Sequence, residues 1–299
     1  MKLATVMHAG AKRVGAVAGE AIRLVPAGEG DMVELIGRGQ AEIARLVAAS
    51  TDTVPLAAVA LLAPIQRFNR DVLCTGWNYW EHFEESRGKR EGQDVEKPKA
   101  PTFFTKGPKT VIGPNDDVCV DPHISAKWDY EAEVGIVIGK ACRSVSSAAA
   151  LDHVFGYFLA NDVSARDLQR RHGGQWLKGK SIDRTMPIGP FIVTPDELDV
   201  PSIRLELTLN GQTMQNAVLE QMASPIAELV AELSFGMTLD VGDVIITGTP
   251  PGIGNAREPA VFIKPGDEMV VSATGLGELR NRVVLHDLHG STDIASMTS

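Results

Sequence analysis

The 299 residues carry a formal net charge of -9, with 44% hydrophobic and 22% charged positions, a balance that supports a packed core and lies far from disorder. The acidic balance and the lack of a dense basic run argue against a nucleic-acid binder, whose affinity comes from Lys and Arg neutralising phosphates. No run approaches the roughly 18 apolar residues of a membrane span and no signal core opens the chain, so a cytoplasmic protein with no membrane partner is expected.

The first stretch predicts two strands, Leu3 to His8 and Val14 to Leu24, followed by a helix from Asp31 to Ala49 capped by Asp31. Together they form a small N-terminal αβ unit over residues 1–70. Cys74, Cys119 and Cys142 form no CxxC pair and read as buried free thiols. The polar stretch Glu81 to Lys99 lacks apolar periodicity and reads as a loop, with a lid role favoured by the aromatic and ionisable residues from Trp77 to His82. Trp77 and Trp80 fit core packing or a dimer contact. Beyond Thr102, short apolar runs broken by Gly, Pro and Asp predict a β-rich α+β body. Expected strands are Ala132 to Ile138, Gly156 to Ala160, Phe191 to Thr194, Arg204 to Leu209, Asp243 to Thr247 and Glu268 to Ala273. Expected helices are Ser147 to Val154, Ser164 to Arg171 and Pro225 to Ser234. Asn210-Gly211 is a hairpin signal. The polar tail, residues 286–299, is expected to fray.

Strand alternation places Asp129, Glu131 and Glu133 on one face and Tyr130, Ala132 and Val134 on the other. An isolated Glu-x-Glu pair is ordinarily a solvated strand face. Asn161-Asp162 changes the balance, because it ends an apolar run that reads as a buried strand, where an Asp is poorly placed for solvation. Three hard oxygen ligands from two core strands suit Mg²⁺ or Mn²⁺, and no Cys cluster or HExxH supports zinc.

These residues carry a resemblance. The string Asp129 to Glu133, then Asn161 to Gln169, then Trp176 to Ser181 and Thr247 to Pro250 resembles the fumarylacetoacetate hydrolase family, in order, from about Val72 to Val284. The resemblance implies a mixed β-roll catalytic domain over residues 71–285 and a homodimer. It implies Mg²⁺ or Mn²⁺ held by Glu131, Glu133 and Asp162, with Lys180 as the active-site lysine. Arg166, Gln169 and the Gly248-Thr249 loop would contact substrate. Some members carry His-x-x-Glu after Asn-Tyr. Here Asn78-Tyr79 is followed by His82 and Glu85, whose spacing lets Glu85 orient His82 as a general base.

The implied chemistry is divalent-metal-dependent hydrolysis of a carbon–carbon bond in an acylpyruvate such as fumarylpyruvate, releasing pyruvate. Isomerisation, decarboxylation or dehydration of a related small 2-oxo acid is the alternative. Two rivals come from other classes. One is a nucleotide-binding loop, since Gly174 to Ser181 satisfies GxxxxGK[ST], although no strand precedes it and Met186, Pro187, Gly189 and Pro190 preclude a long helix. The other is an oxo-acid-binding protein without turnover, against which the retained metal and lysine positions argue.

Overall fold

The computed structural model describes residues 1–90 and 94–290. Among these, twelve strands form one mixed sheet. From one edge, Thr53–Pro55, Ala21–Leu24, Ala11–Ala18 and Lys2–His8 lead into Met186–Val193, Val154–Asn161, Ala132–Ile138, Val244–Ile246, Val72–Gly76 and Thr102–Lys106. A second sheet of five strands runs Gln212–Val218, Arg204–Leu209, Glu268–Ala273, Gly277–Leu285 and Val118–Val120. The strand-rich α+β expectation therefore holds. The first seventy residues are continuous with the rest, because Lys2 and Leu3 pair antiparallel with Val193 and Ile192.

Ala132–Ile138 is buried on both faces, which explains the apolar run from Val134 to Ile138. Val134 and Ile136 share a core with Leu205, Leu207 and Leu279 of the second sheet. Val137 joins Leu35, Ile36, Phe158 and Ile246 on the opposite side. Gly135 sits directly across from Phe158, and a Cβ there would come 2.3 Å from the ring. A glycine is needed so that the aromatic ring can cross the strand.

Several sequence expectations shift at positions with identifiable causes. The run Val14 to Leu24 divides into two strands at Gly19, whose φ of 59° makes the turn. The Asp31 to Ala49 helix divides at Gly39 (φ 84°) into Met32–Arg38 and Gln40–Ala49, while Asp31 and Glu34 form the reciprocal cap. The first turn of the supposed Glu81 to Lys99 loop is a helix, Trp80–Glu85, because Tyr79 and Phe83 bury themselves four residues apart. Residues 91–93 of that stretch lie outside the described residues. Ser164–Ala165 is a strand paired with Trp128–Asp129, so the following helix starts only at Arg166. Ser147 to Val154 is one α-turn, Ser147–Ala150, followed by 3₁₀ backbone. Met186 and its two prolines belong to a strand, Met186–Val193.

Other expectations hold: Arg204–Leu209 and Glu268–Ala273 have the expected bounds, and Asn210 and Gly211 both take positive φ, 51° and 80°, in their hairpin. The three cysteines are free and buried. Among the described residues no helix is long and apolar enough to cross a membrane. Leu288 and His289 donate backbone N–H groups to Asp121, and the remainder of the expected tail, 291–299, lies outside the described residues.

Replacing Gly135 with Val is expected to displace Phe158 and cost about 1–3 kcal/mol by overpacking. Urea unfolding should show a lower midpoint at an unaltered slope.

Candidate active site

Glu131 precedes strand Ala132–Ile138, Glu133 is the second residue of that strand, and Asp162 follows Val154–Asn161. The two strands are antiparallel neighbours, with Ala132 opposite Asn161 and Glu133 opposite Ala160. The turn is fixed at both ends: Asp162 N–H donates to the Glu131 carbonyl at 2.8 Å, and Glu131 N–H donates to Asn161 Oδ1 at 3.0 Å. This register converges the three acids, each offering a carboxylate oxygen within 4.8 Å of the others, with all three side chains buried.

Asp129 does not join them. The alternation breaks at Tyr130, and Asp129 accepts instead from Arg166 Nε at 2.8 Å and from Gly254 N–H at 2.7 Å. Arg166 thereby becomes a strut: its Nη2 lies 2.7 Å from Glu131 Oε1 and its Nη1 donates to Gln169 Oε1 at 3.0 Å. Lys180 Nζ lies 2.6 Å from Glu131 and 2.8 Å from Asp162. It is aimed there by the short helix Leu177–Lys180, which presses against Arg166–Arg171 so closely that a Cβ on Gly179 would meet Gln169 backbone N at 2.2 Å. The nucleotide-loop reading therefore fails, since the helix has four residues and the lysine is held between carboxylates.

A further buried cation, Lys106, escapes the sequence patterns. Its Nζ donates to Asp162 Oδ1 at 2.6 Å and to the Val163 carbonyl at 2.8 Å. The one available signal is a lysine closing the strand Thr102–Lys106 in a chain context of aromatic residues.

Burial opposes ionisation of Glu131, but Lys180, Arg166 and His82 outweigh it and hold its carboxyl down at about 2. Glu133 moves the other way. Burial and the adjacent Asp162 and Glu131 carboxylates push it well above the ordinary range, against the Gly248 N–H that donates to it at 2.5 Å. Burial lowers Lys106, whereas Asp162 and Glu131 overcome burial to raise Lys180.

Four buried carboxylates, Asp129, Glu131, Glu133 and Asp162, thus face three buried cations, Lys106, Lys180 and Arg166. The excess negative charge falls on Glu133. A dication among three hard oxygen donors would relieve it and make the cluster net positive, suited to an anionic ligand. The residues present fit a divalent cation on Glu131, Glu133 and Asp162.

His82 and Glu85 meet as their spacing predicts. His82 Nδ1 lies 2.8 Å from Glu85 Oε1, and Glu85 Oε2 accepts from Gly252 N–H at 2.8 Å. Asn78 ties this segment to the Thr247 loop, donating to the Thr247 carbonyl at 2.8 Å and accepting from Ser224 N–H at 2.9 Å. Gly248 is held at φ 97°, where a Cβ would come 2.7 Å from that of Asn78. The Thr249 hydroxyl donates to the Ala132 carbonyl at 2.9 Å and accepts from Gln215 at 2.8 Å, so its proton is committed within the protein. His82, Glu131, Glu133, Lys180 and Thr249 all line one narrow cleft, walled by Trp77, Phe104 and Trp176. Trp77 therefore packs at the site, its ring 4.9 Å from that of Trp176.

Residues 71–284 match the family described as fumarylacetoacetate (FAA) hydrolase C-terminal. The chain belongs to this family. It is 39% identical over 229 residues, 76% of this chain and 74% of the relative, to oxaloacetate tautomerase YisK of Bacillus subtilis (strain 168). It is 40% identical over 242 residues, 80% of this chain and 74% of the relative, to oxaloacetate tautomerase FAHD2A, mitochondrial, of Homo sapiens. Among solved structures, a fumarylacetoacetate hydrolase from psychrophilic Exiguobacterium antarcticum superposes with TM-score 0.82 at 36% identity, covering 96% of this chain and 100% of that one. A maleylpyruvate hydrolase from Sphingobium sp. SYK-6 gives TM-score 0.77 at 28% identity, with coverage of 96% and 100%. The protein is thus a member of an enzyme family whose relatives include tautomerases and hydrolases.

Lys106→Met would leave a buried Asp162 oxygen without its counter-charge. Breaking a buried pair costs about 3–5 kcal/mol, and chemical denaturation should show a loss of that size.

Proposed function

We propose that the protein is a Mg²⁺- or Mn²⁺-dependent enzyme of small 2-oxo acids that moves a proton at the carbon next to the 2-oxo group, tautomerising a substrate of the oxaloacetate type. The observation that carries this reading is that His82, backed by Glu85, lines the same cleft as Glu131 and Glu133, two of the three convergent carboxylates. The identity of 39% and 40% to two oxaloacetate tautomerases favours tautomerisation among the family's reactions.

A divalent cation held by Glu131, Glu133 and Asp162 would supply a Lewis acid for the 2-oxo group, which would make the neighbouring C–H acidic. The chain's own residues perform the proton transfer. Glu85, itself anchored by Gly252 N–H, accepts from His82 Nδ1–H and leaves the lone pair on Nε2. Nε2 takes the proton from C3 of the keto form, Glu85 balances the imidazolium, and the same proton is then delivered to the enolate oxygen at C2, which completes the enol and leaves His82 neutral again. Arg166 and Lys180 hold Glu131 ionised and oriented, and Gly248 N–H orients Glu133. Trp77 and Trp176 pack edge to face and supply an apolar wall beside these groups.

Hydrolysis of an acylpyruvate such as fumarylpyruvate is the second reading, with His82 activating a water rather than a C–H. The structural likeness to a maleylpyruvate hydrolase favours it.

With Mg²⁺ present, the wild-type protein should accelerate enol–keto conversion of oxaloacetate above the rate set by the metal alone. His82→Asn should lower kcat by about 10²–10⁴, the usual worth of a positioned acid–base group. A variant as fast as wild type would remove His82 from the reaction, and pyruvate release from fumarylpyruvate without tautomerisation would select the hydrolase.

A further inference from the structure

Arg90 lies just beyond helix Trp80–Glu85 and lines the active-site cleft with 4% of its surface exposed. Its guanidinium is set between aromatic rings, 4.0 Å from the Phe83 centroid and 5.2 Å from that of Trp77. Nη2 donates to the Phe83 carbonyl, whereas Nε is buried with no hydrogen-bond partner. Among the described residues no carboxylate forms an ion pair with it, in contrast to Arg166, Lys106 and Lys180, which are all committed to the acids.

A desolvated cation whose acidic neighbours, Asp94 and Glu84, act on it only without close ion pairing is costly, and aromatic faces offset only part of that cost. Such a group is stabilised by an anion that arrives with the ligand. The cleft lining then holds two unlike groups: an oxygen-rich acidic cluster suited to a metal-bound oxo-acid, and the Arg90 guanidinium. We infer that Arg90 is a specificity residue that pairs with the distal carboxylate of a 2-oxo dicarboxylic acid. The inference rests on the 2-oxo-acid reading of the site and adds to it the second charge of the substrate.

The test compares binding of oxaloacetate and pyruvate, which differ by the distal carboxylate, to the Mg²⁺-loaded full chain by calorimetry, for wild type, Arg90→Met and Arg90→Lys. The wild type should favour oxaloacetate, and Arg90→Met should reduce the ratio of the two affinities about 10- to 100-fold, the scale of a charge-assisted hydrogen bond. Arg90→Lys, which keeps the charge but loses the fork, should restore part of the ratio. The ratio is the readout because a loosened site weakens both ligands alike. A wild type without the preference, or an Arg90→Met protein that keeps it, overturns the inference, as does a parallel loss of both affinities. Should the wild type turn over no oxo-acid yet show an Arg90-dependent preference, the catalytic reading falls and the assignment of Arg90 stands.

Discussion

Everything in this protein's site follows from burying three carboxylates within 4.8 Å of one another. Like charges at that separation in a desolvated interior cannot all ionise unaided. The fold answers with three buried cations, two of which grip Asp162 and two Glu131, while Glu133 is left with a backbone N–H and a raised affinity for its proton. The imbalance defines a place for a dication. It also explains why so much of the surrounding chain is committed to holding oxygens still rather than to touching solvent.

That commitment sets the functional geometry. The Gly248 loop supports Glu133 and is itself tied through Asn78 to the segment leading into His82, so the acidic cluster and the acid–base pair share one framework. The carboxylate cluster and the imidazole are therefore held in one hydrogen-bonded framework, which suits the proposed reaction, in which electron withdrawal and proton removal must act on adjacent atoms. The aromatic walls complete the cleft, and Arg90 sits against one of them, Trp77, and against Phe83 in helix Trp80–Glu85.

Much of this was legible in the sequence because it depends on register. Glu131 and Glu133 are two residues apart at the start of an apolar run, and Asp162 ends the adjacent one, so pairing of two central strands is enough to make them meet. The His82–Glu85 spacing is local and needs only one helical turn, although the polar character of its neighbours disguised that turn as loop. Lys106 and Arg90 were not legible. Each acts through partners distant in sequence or through a face-on aromatic contact, and neither leaves a periodic trace. The same reason moved Asp129 out of the acidic face: Arg166, thirty-seven positions away, claims it. Glycines caused two of the boundary shifts, since Gly19 and Gly39 break runs whose apolar pattern continues through them.

The proposed chemistry depends on a single cation held by three converging acids. Equilibrium titration of the protein with Mn²⁺, followed by electron paramagnetic resonance, tests it most directly. One tight site per chain in the wild type, lost in Asp162→Asn and in Glu133→Gln with the fold intact by circular dichroism, is the predicted result. Wild-type stoichiometry and affinity retained in both variants would place the metal elsewhere and contradict the account.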